Sequence, residues 1–284
     1  MATDPGPHDA RAIAAEAFVF GYPLVLMDVS RQVFLNRPNA DGGHDRVNEV
    51  AHLRAFPDAS FKAVVSPNAD TLYSTAWLDL RTEPMVLSQP DSGGRYHLLP
   101  ILSAWTDVFT APGTRTTGDG PASFAIVGPR WAGTLPVGVE EVHSPTAMAW
   151  LIGRTQTNGA ADYDAVHRFQ DELAITPLSG WGWAPEARAD VPLDPSVDVE
   201  TPPPDQVAAM DAATFFGRLA GLMVDNPPSA ADAPMLEQLA TIGLAPGRYE
   251  PNPADAAALD DGVRLGLAEI REQLAAAARL PTGW

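Results

Sequence analysis

Short apolar stretches separated by turn signals run through residues 70–143 at a spacing of about ten residues. The first stretch, residues 72–80, alternates with a period of two and places Tyr73, Thr75, Trp77 and Asp79 on one face. The turn signals that follow are Asp-Ser-Gly-Gly at 91–94, Pro-Gly at 112–113, Gly-Pro at 128–129 and Ser-Pro at 144–145. This pattern predicts an antiparallel β-sandwich or a barrel-like sheet.

Helical patterns flank the predicted strands. Residues 8–35 predict a helix to about Phe20, a kink at Pro23 and a second helical run. Residues 48–56 predict a short helix or turn, and prolines crowd residues 176–205. Further helices are predicted at 162–173, 206–223, 233–242 and 254–279. This order is typical of an α+β fold, here with an antiparallel core, an N-terminal kinked helix and C-terminal helices.

The same pattern suggests a domain organisation. Residues 1–180 are expected to form the β-rich core with N-terminal helices, residues 181–205 a proline-rich excursion or linker, and residues 206–284 a helical region packed on the core. Leu259, Val263, Leu267, Ile270 and Leu274 form an apolar stripe near the C-terminus. We interpret this stripe as a packing element and expect a homodimer.

Charge and composition exclude several kinds of partner. The 36 acidic and 18 basic residues give a net charge of −18, so we expect no binding to nucleic acid or to an anionic membrane. The absence of cysteine excludes disulfides and thiolate chemistry. No signal peptide is visible, and the apolar run at 14–27 contains Glu16 and Pro23 and is too short to span a bilayer. We therefore expect a cytoplasmic protein.

The turn before the first predicted strand is the candidate site. It places Asn68, Asp70 and Tyr73 at the mouth of that strand, where polar side chains converge on a pocket. Asp70 is the candidate acid or base, and Asp79 or Asp107 is available as a second carboxylate. The alternative is a turn whose Asn and Asp side chains bond only backbone groups.

Three arginines lie among apolar and aromatic residues: Arg95, Arg115 and Arg154. A buried guanidinium is costly unless it pairs with an acid, such as Asp70 or Asp79, or binds a ligand anion. The sequence also offers aromatic rings and hydroxyls of the kind that line small-molecule pockets. The alternative is that these side chains belong to an ordinary core. The predicted catalytic residues are Asp70, Tyr73 and Arg115, and the predicted substrate-binding residues are Tyr22, Asn68, Arg95, Trp105, Thr106 and Arg154.

Motifs for metals and cofactors are missing. The six histidines form no HxH, HxxxH or HExxH pair, although a site gathered from separate strands, such as His97 with His143, stays open. The sequence has no G-x-S-x-G nucleophile elbow and no glycine-rich loop between a strand and a helix. We therefore expect no cofactor and no resident metal.

An ordered series of motifs resembles the DUF1254 family, whose function is undefined. The motifs lie at residues 18–24 (FVFGYPL), 67–80 (PNADTLYSTAWLDL), 93–96 (GGRY), 112–118 (PGTRTTG), 126–129 (IVGP), 144–146 (SPT) and 150–155 (WLIGRT). The resemblance implies a β-sandwich-like core with appended helices. Similar proteins commonly carry a second domain, DUF1214, for which this sequence has no room, so a partner chain is a possible substitute.

Three hypotheses follow. The favoured one is a cofactor-independent enzyme, of lyase, hydrolase, isomerase or cyclase type, acting on a small polar or anionic organic molecule. Asp70 is its acid or base, and an arginine binds the anion. The first alternative is a non-catalytic binding or assembly module, in which Asp70 bridges an arginine. The second alternative is a metal-dependent hydrolase.

Overall fold

A computed structural model describes residues 9–38, 44–56, 69–183 and 192–277. Its contacts divide the chain into unit 1, formed by Met1–Val33 and Asp198–Trp284, and unit 2, formed by Phe34–Val197. The N-terminal helix is thereby grouped with the C-terminal helices. The domain boundaries expected from the sequence at 180 and 205 remain a prediction.

The helices are α1 (Ala10–Asn36), α2 (Tyr163–Glu172), α3 (Pro203–Ala208), α4 (Ala212–Met223), α5 (Ala233–Thr241) and α6 (Ala256–Ala277). The strands are β1 (Ala51–His52), β2 (Thr71–Asp79), β3 (Met85–Gln89), β4 (His97–Leu98), β5 (Ile101–Ser103), β6 (Val108–Thr110), β7 (Ala122–Val127), β8 (Glu140–His143), β9 (Met148–Gln156), β10 (Ala174–Pro177), β11 (Leu244–Ala245) and β12 (Arg248–Tyr249).

Two sheets form the core of unit 2. The larger has the order β1-β2-β9-β5-β6, with β4 also paired to β9, and all its pairings are antiparallel. The smaller has the order β10-β3-β7-β8, in which β7 and β8 are parallel. Among the described strands neither sheet closes into a barrel. The α+β prediction is confirmed, with open sheets.

The alternation in β2 explains why the sheets pack together. Leu78 of β2 and Leu151 of β9 lie in one buried cluster with Leu87 of β3 and Phe124 and Ile126 of β7. Because successive strand residues point to opposite sides, one face of β2 carries Ser74, Ala76 and Leu78 inward, and the other carries Tyr73, Thr75 and Trp77. We call these the inner and outer faces of the larger sheet.

Residues 48–56 differ from the predicted short helix or turn. Ala51 and His52 form β1, which pairs with Thr75 and Ser74 of β2. Asn48 holds this segment in place, because its Oδ1 accepts a 2.8 Å hydrogen bond from the N–H of Asp79. This partner lies 31 residues away, so tertiary contacts rather than local propensity select the strand.

In unit 1, α1 is one helix of 27 residues with Pro23 inside it, whereas the sequence suggested two runs separated after Phe20. A proline costs a helix interior about 3 kcal/mol, and burial on both sides of Pro23 offsets that cost. Phe18, Leu24 and Val25 are all fully buried.

The length of α1 corrects one expectation. Its best window has a mean hydropathy of 1.6, so by length and composition this helix is able to cross a membrane, contrary to the reading of residues 14–27 as too short. Core helices pass the same test, and 56% of that window is buried inside the fold. The cytoplasmic location stays a prediction.

Glycines let the helices of unit 1 approach closely. A Cβ on Gly262 of α6 would lie 2.5 Å from the Cβ of Ala14, and one on Gly266 would lie 2.7 Å from the carbonyl oxygen of Ala15. The Phe18 and Phe215 rings of α1 and α4 pack 4.3 Å apart. The buried face of α6 is thus Leu259, Gly262, Val263 and Gly266, while Leu274 of the predicted stripe is 66% exposed.

Candidate functional site

The candidate site lies where β2 begins and β9 ends. The carbonyl of Asp70 accepts a 2.9 Å hydrogen bond from the N–H of Thr157, which fixes the start of β2 against the end of β9. Two residues after Thr71, Tyr73 stands directly opposite Arg154 on the outer face. The Arg154 guanidinium lies 5.2 Å from the centre of the Tyr73 ring, within the range of a cation–π interaction. Both side chains are half-buried, and Asp70 is exposed.

A second cation–π pair lies on the same face, on the other side of β9. Leu98 of β4 stands opposite Arg154, and the N–H of Gln156 donates to the carbonyl of Tyr96. Tyr96 therefore shares the outer face with Leu98 and Arg154. The guanidinium of Arg115 lies 5.2 Å from the centre of the Tyr96 ring.

The turn at 112–118 positions Arg115. Leu98 forms an isolated antiparallel bridge with Gly113, and the N–H of Thr114 donates to the carbonyl of His97. Gly113 is required here, because a Cβ at this position would lie 2.6 Å from the His97 carbonyl oxygen. The segment runs antiparallel to β4 and brings Arg115 beside Tyr96. We name Tyr73, Arg154, Tyr96 and Arg115 the tyrosine–arginine cluster.

The two arginines of this cluster have no acid partner within the described part of the chain. Acids outnumber bases two to one in this protein, and Arg31, Arg54, Arg81, Arg95 and Arg218 all form ion pairs. A guanidinium held on a tyrosine ring keeps its N–H donors available at its edge. Arg115 and Arg154 are therefore suited to bind an anion.

Arg95 has a different role. Its guanidinium forms a two-point ion pair with Asp162, at 2.7 and 2.8 Å, and also donates to the carbonyl of Gln156. The hydrogen bonds from Arg95 lower the pKa of Asp162 to about 2, and those to Asp162 raise the pKa of Arg95. The sequence left two alternatives for Arg95, pairing with an acid or binding a ligand anion. The structure shows pairing with an acid, which is Asp162 rather than Asp70 or Asp79.

The inner face at the same end of the sheet holds polar residues that sequence reasoning missed. His52 Nδ1 and Ser74 Oγ are 2.8 Å apart, and Ser74 is fully buried. Burial lowers the pKa of His52 to about 4, and burial also lowers the pKa of His97. A buried serine offers no access to substrate, so we interpret this pair as structural. No local motif marks it, because the two residues are 22 positions apart.

Other predicted residues lie elsewhere. Trp105 and Thr106 occupy the turn between β5 and β6, at the opposite end of the larger sheet, and Thr106 has a φ of 74°. Asp79 also lies at that end, roughly 30 Å along β2 from Asp70, so these two carboxylates do not form a pair. Asp79 instead binds Arg81 through both carboxylate oxygens.

Two further predicted residues cannot be assigned to the cluster. Asn68 lies outside the described residues. Tyr22 lies on α1 in unit 1, where burial raises the pKa of its phenol and its ring packs 5.7 Å from that of Phe18.

The suggested metal pair is not brought together. His97 is fully buried in β4 of the larger sheet, whereas His143 lies in β8 of the smaller sheet with 69% of its side chain exposed. His143 Nε2 lies 2.5 Å from a carboxylate oxygen of Glu141. Within the described ranges no group of three or more His, Asp or Glu side chains is arranged to hold a metal ion.

A cleft of about 150 Å³ lies at the end of unit 2 where β2 ends, away from the cluster. Its lining is Leu80, Arg81, Thr82, Pro129, Arg130, Trp131, Ala132 and Ala147. Arg81 is already engaged by Asp79. None of the residues predicted for the site lines this cleft.

Two open sheets packed over a shared core, with helices before and after them in the chain, define an α+β protein of sandwich type. Residues 47–177 match the model of a family described as "Protein of unknown function (DUF1254)". The resemblance found in the motifs is therefore confirmed over residues 47–177.

A solved structure, that of the VPA0106 protein from Vibrio parahaemolyticus, is similar with a TM-score of 0.67 and 22% sequence identity. The match covers 93% of this chain and 59% of that one, so this chain spans less than two thirds of the length of its structural relative. At this identity the similarity shows the fold alone. No curated protein matches the chain.

Proposed function

We propose that this protein binds a small anionic organic molecule at the tyrosine–arginine cluster and converts it without a cofactor. The observation that carries the proposal is Arg154, a half-buried guanidinium that lies on Tyr73 and lacks an acid partner among the described residues. Burying an unpaired cation is unfavourable, and a ligand carboxylate would offset that cost with charge-assisted hydrogen bonds.

Asp70 supplies the acid–base chemistry in this proposal. Its backbone is anchored to Thr157 at the end of β9, and the residue is exposed three positions before Tyr73 of the cluster. Proton transfer by a carboxylate, with the negative charge of the ligand held by an arginine, is sufficient for a lyase, hydrolase, isomerase or cyclase step. We further propose a cytoplasmic protein that acts as a homodimer or with a separate partner chain.

The binding test uses Arg154→Gln with Arg168→Gln as a matched control. Arg168 is an exposed arginine of α2, outside the cluster. Hydrogen bonds to charged groups contribute about 1.5–3 kcal/mol, so we expect Arg154→Gln to weaken carboxylate binding at least about tenfold. Isothermal titration calorimetry with a panel of carboxylates measures the affinity. Equal affinities in wild type and Arg154→Gln would remove Arg154 from the site.

The catalytic test uses Asp70→Asn. We expect this variant to keep the melting temperature and the affinity for the ligand found by calorimetry, and to lose turnover of that ligand followed by proton NMR. Unchanged turnover would exclude Asp70 as the acid or base. A lowered melting temperature together with no turnover in the wild type would favour the assembly module instead.

A further inference from the structure

We infer that the ligand is an organic dicarboxylate, with one carboxylate on Arg154 and the other on Arg115. This inference rests on the proposed function and specifies its substrate class. It starts from the fact that the outer face carries two arginines, each lying on its own tyrosine ring and each without an acid partner among the described residues. A ligand with a single carboxylate would use only one of them.

The register of the strands gives the spacing of the two cations. Arg154 stands opposite Leu98, Leu98 forms a bridge with Gly113, and Arg115 follows two residues later. The guanidiniums themselves lie on the rings of Tyr73, on one side of β9, and Tyr96, on the other side. With neighbouring strands about 4.8 Å apart and a rise of about 3.3 Å per residue, the α-carbons of these two tyrosines are roughly 12 Å apart.

This spacing selects between kinds of dianion. A compact dianion such as inorganic phosphate carries both charges on one small group, whereas a dicarboxylate separates them by a carbon skeleton. Leu98 and the Tyr96 ring, both half-buried, share the outer face with the two guanidiniums. An apolar and aromatic surface favours contact with a hydrocarbon skeleton and offers no further charge.

Electrostatics also favour two local cations. The protein carries a net charge of −18, which repels a free dianion. Two guanidiniums that are not neutralised by neighbouring carboxylates create a local region of positive potential on this negatively charged protein. When one carboxylate of a diacid is bound to one arginine, binding of the second carboxylate to the other arginine is intramolecular. The diacid therefore binds more tightly than the corresponding monoacid.

The test compares straight-chain dicarboxylates from succinate to suberate with their monomethyl esters and with inorganic phosphate. Titration calorimetry is performed on wild type, Arg115→Gln, Arg154→Gln and the control Arg168→Gln. We expect the best diacid to bind wild type about tenfold more tightly than its monomethyl ester, which corresponds to one additional charge-assisted contact. Arg115→Gln should remove that difference, and Arg168→Gln should preserve it.

Different results separate this inference from the proposed function. Suppose that ester binding depends on Arg154. The dicarboxylate inference alone is then overturned if no diacid binds more tightly than its ester, or if such a preference survives Arg115→Gln. Phosphate binding as tight as that of the best diacid would also overturn it. If no carboxylate binds in a manner that depends on Arg154, both the inference and the proposed anion site are wrong.

Discussion

His52 should make the stability of unit 2 depend on pH between neutrality and about pH 4. Burial, and to a smaller degree the charge of Arg54, lowers the pKa of His52 from 6.5 to about 4, while Asp171 acts in the opposite direction. Above pH 6.5 the imidazole is neutral in both the folded and the unfolded state. As pH falls below 6.5, the imidazole is protonated in the unfolded state, whereas in the folded state it stays neutral until about pH 4. The contribution to stability is therefore fully present above pH 6.5 and is lost progressively down to pH 4.

The magnitude follows from the size of the shift. Each pKa unit corresponds to about 1.36 kcal/mol, so a fully buried group would lose about 3.4 kcal/mol across this window. The imidazole of His52 is only half-buried, and solvent screens part of the effect. We therefore expect wild type to lose about 1–2 kcal/mol more than a His52→Gln variant between pH 7.5 and pH 4.5.

Urea unfolding followed by tryptophan fluorescence measures this loss, because every tryptophan except Trp284 lies in unit 2. His143→Gln, which removes an exposed histidine, is the matched control. The buried His97 contributes to the acid sensitivity of both wild type and variant, so it cancels in the comparison. If the free energies of unfolding of wild type and His52→Gln run parallel over this pH range, the reasoning about His52 is refuted.

Two further predictions concern packing and ion pairing. Gly262→Ala should destabilise unit 1 by about 1–3 kcal/mol in urea unfolding followed by circular dichroism, because its Cβ would overlap that of Ala14. Gly217→Ala in α4, where the added Cβ would meet no atom within 4 Å beyond its chain neighbours and its own helix backbone, should be neutral or stabilising, and equal destabilisation by both would contradict the packing argument. Arg95→Gln should lower the melting temperature at pH 7, and the difference from wild type should shrink as pH falls from 3.8 towards 2 and Asp162 becomes protonated. A difference that is independent of pH would show that the ion pair with Asp162 is not the cause.

Local sequence patterns predict much of the fold. The strand with a long alternating pattern, β2, is found at nearly the correct bounds, since burial of one face requires a period of two. The same holds for α2 and α6, where a 3.6-residue period marks the buried side. β1 is missed because two residues carry no periodicity, and a contact from Asn48 to Asp79 holds them in place.

The candidate site was only partly predictable. Residue type and neighbourhood select Asp70, Tyr73, Arg115 and Arg154 as candidates, but nothing local indicates which of them meet. Tyr96 was not selected, and its role depends on lying beneath Arg115. Arg95 looked equivalent to Arg154 in the sequence, and only the structure shows that Asp162 occupies its guanidinium.

The sequence by itself determined the class of fold, the exclusion of disulfide and thiolate chemistry, and the family motifs, because these depend on composition and on short-range periodicity. Tertiary structure alone decided that β2 and β9 pair with Tyr73 opposite Arg154, and that α1 continues through Pro23. Both outcomes depend on contacts between residues far apart in the chain. Such contacts set the strand register, and their burial free energy outweighs the local cost of a proline inside a helix.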